Sequence, residues 1–253
     1  MNEEALVFED VSFTYHSGKS QKQILKGVDL TVKKGEFVSI IGASGSGKST
    51  MFRLITGLEN PQSGEIRLAG IRCESRLGRI GYMPQRDLLM PWRTVRENAA
   101  LPLEIKGKSE LEKVDEMLEK FGLGGYEDKY PGELSGGMRQ RVSFLRATLS
   151  GSDILLLDEP FSALDALTKL FMQEWLLEQW VKEKKTILFI THDISEALFL
   201  SDRIIVLTES PASMLEETIV PLDRPRAHRD ADQPEVLKLK EALIERFRKQ
   251  TLV

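Results

Sequence analysis

The chain has 253 residues, of which 41% are hydrophobic, so it is long and apolar enough to bury a full core. Its 39 acidic and 35 basic residues leave a formal net charge of -4, which excludes an overall positive field that would attract nucleic acid or an anionic membrane. Cys73 is the single cysteine, which excludes an internal disulfide and a zinc site built from several cysteines.

The first part of the sequence predicts strands that lead into a glycine-rich loop. Residues 5–13 and 24–32 alternate apolar and polar side chains on either side of a polar turn, which is typical of paired strands. The apolar run 37–41 is followed by a Gly/Ser-rich loop and by a helical pattern over residues 49–56. Two further short strands are expected between residues 64 and 84.

Residues from about 87 to 150 have a helical pattern and are predicted to form an inserted helical lobe. Within this lobe, Ser109 and Glu112 have the spacing of a capping box at the start of a helix. Apolar side chains recur there at helical spacing and predict one buried face, formed by Leu111, Val114, Leu118 and Phe121.

From residue 153 onwards, strands and helices alternate along the chain. The pattern predicts strands over residues 154–157, 186–190 and 203–207, with helices over 167–181 and near Ser195. Such alternation indicates a mostly parallel sheet that is covered by helices on both faces. The C-terminal residues are expected to form a linker and a terminal helix.

No apolar run approaches the roughly 18 residues that a membrane helix needs. The first residues, MNEEALVFED, are acidic and lack the apolar segment of a secretion signal. We therefore expect a cytoplasmic chain that takes any membrane role from a separate subunit.

A glycine-rich motif lies between a predicted strand and a predicted helix and fits the pattern G-x-x-x-x-G-K-[ST]. Its glycines allow successive backbone N–H groups to approach a phosphate, and the helix N-terminus adds its positive end. Lys48 is expected to reach the terminal phosphates and Ser49 to hold magnesium; a purely structural glycine turn is the alternative. The candidate nucleotide-binding residues are Gly42, Ala43, Ser44, Gly45, Ser46, Gly47, Lys48, Ser49 and Thr50.

Two carboxylates, Asp158 and Glu159, follow a continuous apolar run that is typical of a central parallel strand. Because successive side chains of a strand point to opposite sides, Asp158 is expected to face a magnesium ion while Glu159 projects beyond it. Glu159 could then polarise a water molecule for attack on the γ-phosphate of a nucleotide. The alternative interpretation is a solvated acidic turn.

A second glycine-rich helix start occurs in the segment Leu134-Ser-Gly-Gly-Met-Arg-Gln-Arg141, where Ser135, Gly136 and Gly137 precede a predicted helix. Such a start is a second candidate phosphate-binding element. The two elements could act on one ATP, or they could act on two different ATP molecules.

These motifs together resemble the ATPases of ABC transporters, in which LSGG-type sequences form the signature motif. The resemblance covers nearly the whole chain and implies ATP and Mg²⁺ as ligands. It implies that Tyr15 stacks on adenine, that Gln85 contacts magnesium and water, and that His192 contacts the γ-phosphate. It also implies that the loop 162–165 crosses a dimer interface.

The family fold is α/β, with a P-loop NTPase core around a mostly parallel sheet, an N-terminal antiparallel β subdomain and an inserted α-helical subdomain. The resemblance implies a single ABC ATPase domain over residues 1–253. Residues 1–86 and 151–222 would form the core with the β subdomain, residues 87–150 the helical subdomain, and residues 223–253 the C-terminal linker and helix.

The resemblance also implies an assembly. Two chains would form a head-to-tail homodimer around two ATP·Mg²⁺, with the signature of one chain over the phosphate loop of the other. Glu159 and His192 would hold the attacking water, while Lys48, magnesium and the partner's signature stabilise the transferring phosphoryl group. The dimer would lie on the inner face of the cell membrane, bound to permease subunits and served indirectly by a solute-binding protein, with no role for nucleic acid.

The segment from Leu88 to Asn98 is similar to that of importers for nitrate, sulfonate and taurine, which favours a small anionic solute. A non-transport ABC ATPase is an alternative, but the sequence lacks a long coiled-coil insertion or a second cassette. Another P-loop phosphotransferase would leave LSGGMRQR, the loop 162–165 and Thr191-His-Asp193 without a role.

The apolar run from Leu88 to Trp92 has charged neighbours, which is typical of a docking groove. The resemblance implies that a permease helix binds beside it, and we expect Leu89 and Met90 to make the contact. A place in the protein core is the alternative for these residues.

Overall fold

The structure is a computed structural model that describes residues 3–18, 20–73, 75–207 and 211–251. It divides into two compact units, Met1–Gly78 with Glu183–Val253, and Arg79–Lys182, called here the first and the second unit. In chain order the elements are β1 (Glu4–Ser17), β2 (Ser20–Lys33), β3 (Phe37–Gly42), α1 (Lys48–Thr56), β4 (Ser63–Leu68), β5 (Ile71–Arg72), β6 (Gly81–Met83), α2 (Val95–Ile105), α3 (Leu111–Lys120), α4 (Gly136–Leu149), β7 (Ile154–Asp158), α5 (Ala166–Glu183), β8 (Thr186–Ile190), α6 (Ile194–Leu200), β9 (Arg203–Leu207), β10 (Leu215–Ile219) and α7 (Pro234–Thr251).

The N-terminal strands of the first unit form an antiparallel sheet in the order β2-β1-β4-β5. The apolar side chains of the alternating pattern, such as Leu6, Phe8, Val28 and Leu30, are buried, because one face of the sheet packs on a core. This sheet confirms the predicted antiparallel β subdomain.

A second sheet of the first unit carries the glycine-rich loop. Strand β3 pairs in parallel with β8 and with β9, and β10 pairs antiparallel with β9. Every residue of β3 and β8 is buried, as expected for strands that are covered on both faces. Helices α6 and α7 cover one face through a cluster that includes Ile41, Leu198 and Leu243.

The second unit contains the parallel pair β6 and β7 together with the helices α2, α3, α4 and α5. Its core includes an aromatic cluster in which Trp175 packs edge-on against Phe121 and Phe144, with ring centroids 4.4 and 5.8 Å apart. Such edge-to-face pairs add to the stability that burial of the rings provides. The predicted parallel α/β sheet and the predicted helical insertion are both confirmed.

One local prediction was wrong. Helix α3 begins at Leu111 with Glu110 at its N-cap and no side-chain cap, so Ser109 lies outside the helix and cannot form the predicted capping box. A capping box occurs instead at α2, where Thr94 and Glu97 each bond the other's backbone N–H. The spacing alone does not decide which residue takes the N-cap conformation.

Within the described ranges, no helix is long and apolar enough to cross a membrane. The predicted boundaries at residues 86, 150 and 222 stay predictions.

Candidate functional site

The glycine-rich motif forms a loop between the end of β3 and the start of α1, as predicted. Lys48 turns its ammonium group onto this loop and donates to the carbonyl oxygens of Gly42 and Ala43 at 2.8 and 2.9 Å. Gly47 has a φ of 105°, and a Cβ at this position would lie 2.8 Å from Cγ2 of Ile24. Only glycine therefore fits at residue 47, which fixes the entry into α1.

The same loop offers hydrogen-bond donors to an anion. Ala43, Ser44 and Gly45 are exposed, and no side chain of the described residues caps the N-terminus of α1. The hydroxyl group of Ser46 is buried and has no hydrogen-bond partner among the described residues. Unsatisfied donors at a helix N-terminus are the features that bind phosphate groups, so the loop fits a polyphosphate.

His192 lies in the first unit, two residues after the end of β8, and it is exposed. The residues around it form a fixed turn, in which Asp193 caps α6 by accepting from the backbone N–H of Ser195 at 2.8 Å. His192 lines one cavity together with residues 42–44 of the loop, so the structure brings these two candidate elements together.

Tyr15 lies in β1 of the same unit and is half-buried. Its ring packs edge-on against Phe13, with the centroids 4.8 Å apart. The predicted stacking of Tyr15 on adenine stays a prediction.

Asp158 and Glu159 lie at the end of β7 in the second unit. Asp158 is buried as the last residue of the strand, whereas Glu159 is half-buried and has a φ of 50°. This left-handed conformation is uncommon for a residue with a Cβ and turns the chain sharply after Asp158. Gln85 donates to Oε2 of Glu159 at 3.1 Å, so the structure brings these two candidate catalytic residues together.

Gln140 is a residue of this site that the sequence analysis did not identify. Its amide nitrogen donates to the carbonyl oxygen of Glu159 at 2.9 Å, and its amide oxygen accepts from the backbone N–H of Ala163 at 2.9 Å. Gln140 is buried on α4, and a polar side chain on the buried face of a predicted helix was the available signal. It ties the segment that carries Glu159 to the signature helix.

The signature residues form the start of α4, as predicted. Ser135 is the N-cap, and its hydroxyl accepts from the backbone N–H of Met138 at 3.3 Å. Gly136 is exposed and Gly137 is half-exposed, so the first turn of α4 is accessible from outside. A Cβ on Gly137 would lie 3.2 Å from the carbonyl oxygen of Ala163, which shows how closely the loop 162–165 packs on this turn.

The loop 162–165 is held by hydrogen bonds to the residues on either side of it. The hydroxyl of Ser162 donates to the carbonyl oxygen of Glu159 at 3.0 Å. The side chain and the backbone N–H of Thr168 both donate to the carboxylate of Asp165, and these bonds lower the pKa of Asp165. Asp165 is therefore an exposed, ionised carboxylate at the start of α5.

Two arginines of α4 hold the segment that follows Gln85. Arg139 donates to the carboxylate of Asp87 at 3.0 Å, and Arg146 donates to the carbonyl oxygens of Asp87 and Leu88 at 2.7 and 2.9 Å. Burial lowers the pKa of Arg146. The segment after Gln85 is thus attached to the signature helix at several points.

The side chains of the apolar run from Leu88 to Trp92 are partly exposed and partly buried. The side chains of Leu88 and Trp92 are 62% and 72% exposed, whereas Leu89 is only 9% exposed. Our expectation that Leu89 contacts a partner is therefore wrong, because its side chain packs inward. Pro91 is exposed as well, and we call the two large exposed side chains of the run, Leu88 and Trp92, the exposed pair.

A strand, a phosphate-binding loop and a helix, together with a buried carboxylate at the end of a parallel strand, define the P-loop class of nucleotide hydrolases. The ABC transporter family model matches residues 25–162. The chain is 51% identical to the formylaminopyrimidine import ATP-binding protein ThiZ of Halalkalibacterium halodurans, over 88% of this chain and 87% of that protein. This chain therefore belongs to the ABC transporter family as an ATP-binding subunit that hydrolyses ATP.

Two further similarities agree with this membership. The chain is 41% identical to the aliphatic sulfonates import ATP-binding protein SsuB of Bacillus cereus, over 90% of this chain and 91% of that protein. It superimposes on a dimeric post-hydrolysis state of the ATP-binding cassette MJ0796 bound to ADP and Pi, with a TM-score of 0.79. That comparison has 33% sequence identity and covers 86% of this chain and 100% of that chain.

Proposed function

We propose that this chain is the ATPase subunit of an ABC importer, which works as a head-to-tail homodimer on separate permease subunits at the inner face of the cell membrane. The relatives named above are import ATP-binding proteins, and the cassette MJ0796 has been solved as a dimer. The observation that carries the proposal is the hydrogen bond between Gln85 and Glu159, because it joins the proposed base to the segment that leads to the exposed pair Leu88 and Trp92.

The nucleotide is bound by the phosphate loop, whose exposed backbone N–H groups and Lys48 are suited to the β- and γ-phosphates. Tyr15 stacks on the adenine. The start of α4, with Ser135, Gly136 and Gly137, contacts the ATP held by the phosphate loop of the second subunit. This arrangement is supported by the accessible first turn of α4.

Hydrolysis is an in-line attack of water on the γ-phosphate. Glu159 orients and polarises this water, and His192 contacts the γ-phosphate. Lys48 stabilises the negative charge that develops on the transferring group. The oxygen-bearing side chains of Ser49, Gln85 and Asp158 are of the type that binds Mg²⁺, which supplies further charge stabilisation when it is bound.

The solute is proposed to be a small molecule, of the anionic sulfonate or nitrate type or a heterocycle such as the formylaminopyrimidine that names the relative ThiZ. In such a system the permease and the solute-binding protein select the solute. Co-purification with the permease would identify the transport system.

The variant Glu159→Gln tests the proposed chemistry. It keeps the shape and the hydrogen bond to Gln85 but cannot act as a base, so we expect ATP binding to persist and steady hydrolysis to fall by about 100-fold or more. With ATP and magnesium, a stable dimer should accumulate and elute early in size-exclusion chromatography.

Glu178→Gln is the matched control, because Glu178 is an exposed glutamate on α5 of the same unit. It should hydrolyse ATP and elute like the wild type. A Glu159→Gln variant that turns over ATP at the wild-type rate would refute the assignment of the base. Appearance of a phosphorylated small molecule instead of free phosphate would identify a phosphotransferase.

A further inference from the structure

Helix α7 is held against the strand that leads into the phosphate loop. Val236 and Leu243 of α7 are fully buried in one cluster with Ile41, the residue directly before Gly42. Phe247, one turn further along α7, packs against the same cluster. The last turns of α7 therefore have a fixed position in the first unit.

A cavity of about 610 Å³ lies between these turns and the phosphate loop, and we call it the α7 cavity. Residues 42–44 of the loop and His192 form one side of it, and Ile244, Phe247 and Arg248 of α7 form another. All of these residues belong to the first unit. The cavity is thus continuous with the exposed part of the loop that is suited to a phosphate.

Arg248 brings a positive charge to this cavity. Among the described residues it forms no ion pair and no side-chain hydrogen bond, whereas Arg246, two positions earlier on α7, pairs with Glu216 at 3.0 Å. Arg248 is an exposed residue, and the neighbouring walls from Ile244 and Phe247 are apolar, so no other cation among the described side chains of α7 lines the cavity with it. An arginine beside exposed loop N–H groups and a histidine is a suitable arrangement for an oxyanion, since guanidinium groups bind phosphate oxygens through paired hydrogen bonds.

We propose that Arg248 is a further binding residue of the nucleotide site, which contacts the γ-phosphate of the ATP held by the phosphate loop of the same subunit. The proposal rests on the proposed function, in which His192 contacts that phosphate. ADP has no γ-phosphate, so Arg248 strengthens the binding of ATP more than that of ADP. The C-terminal helix thereby takes part in distinguishing the two nucleotides.

The test is equilibrium binding of ATPγS and ADP to the full chain, at concentrations at which the protein is monomeric. Arg248→Gln should weaken the binding of ATPγS by about 5- to 10-fold and change that of ADP by less than about 2-fold. Arg248→Lys keeps the charge but loses the paired geometry, and an intermediate loss is expected. The matched control is Arg246→Gln, which removes the same charge from the same helix and should leave both affinities unchanged.

An unchanged ratio of the two affinities in Arg248→Gln would overturn the inference. Normal nucleotide binding by the monomer together with weakened dimer formation would also overturn it, because Arg248 would then contact the second subunit. An equal loss in Arg246→Gln would show that only the overall charge of α7 matters. A wild-type chain that binds neither nucleotide would instead refute the proposed function.

Discussion

The side-chain amide of Gln140 donates to the carbonyl oxygen of Glu159 at 2.9 Å, and this bond joins the signature helix to the residue that we propose as the base. The same amide group also bonds Ser162 and Ala163. One buried side chain thus fixes both the proposed base and the loop that follows it.

Replacement of Gln140 by leucine should slow hydrolysis without preventing nucleotide binding. The change removes all three hydrogen bonds of this side chain and with them the attachment of Glu159 to α4, so we expect kcat to fall by about 10- to 100-fold while the KM for ATP changes little. Gln179→Leu on α5 serves as the control, because this half-exposed glutamine lies in the same unit. Steady-state kinetics would contradict the prediction if KM rose and kcat stayed constant.

The trans arrangement of the signature can be tested by mixing two inactive variants. Ser135→Arg blocks the signature and Lys48→Ala disables the phosphate loop, so each homodimer should be inactive. A mixed dimer has one intact phosphate loop facing one intact signature, and an equimolar mixture should recover about a quarter of the wild-type rate. A mixture that stays as inactive as its parts would indicate that both motifs serve the same nucleotide within one chain.

The exposed pair Leu88 and Trp92 predicts where the permease binds. Leu88→Asp and Trp92→Asp should each leave the melting temperature and the ATPase rate of the isolated subunit close to wild type, while co-purification with the permease is lost. Ile105→Asp is a suitable control, since Ile105 is 78% exposed on α2 outside this pair. Leu89→Asp should instead destabilise the fold by about 3 kcal/mol or more, because it buries a charge.

The buried hydrogen bonds of Arg226 are expected to stabilise the attachment of the C-terminal linker to α6. Its side chain is 1% exposed and donates to the carbonyl oxygens of Ser201 and Leu222 at 2.7 and 2.8 Å. Burial and the nearby charge of Arg224 lower the pKa of Arg226 to about 10, so the guanidinium group stays charged at neutral pH.

Arg226→Gln should therefore lower the free energy of unfolding by about 2–4 kcal/mol, because several carbonyl groups lose their donor. Arg229→Gln, at an exposed position of the same linker, should change it by less than about 0.5 kcal/mol. Urea unfolding at pH 7 measures both values. Equal effects of the two substitutions would contradict the role of Arg226 as a buried link.

The sequence was most informative where local chemistry decides the structure. The apolar runs predicted β8 and β9 with the bounds that the structure has, and the strand, glycine loop and helix around Lys48 followed from the motif. The hydrogen-bond partners of Gln140 could not be predicted in this way, since they come from a segment that lies about 20 residues further along the chain and meets α4 only in the folded unit.

The run from Leu88 to Trp92 shows the same limit on a smaller scale. It has neither strand alternation nor helical spacing, so nothing in its pattern indicates that Leu89 is buried while Leu88 is exposed. Arg146 of α4 donates to the carbonyl oxygens of Asp87 and Leu88 and so holds the backbone of this segment in one conformation. Packing against another element, rather than hydrophobicity, decides the outcome.

The left-handed backbone conformation of Glu159 lowers the stability of the fold for any residue with a Cβ, whereas the proposed activity requires the glutamate side chain at this position. A residue with a Cβ loses roughly 1 kcal/mol in this conformation, whereas glycine adopts it without that loss. A chain with Glu159→Gly would therefore be inactive and yet have a higher free energy of unfolding than one with Glu159→Ala. Selection for thermal tolerance alone would favour loss of the proposed base, so directed evolution of a more robust subunit has to include a screen for ATP turnover.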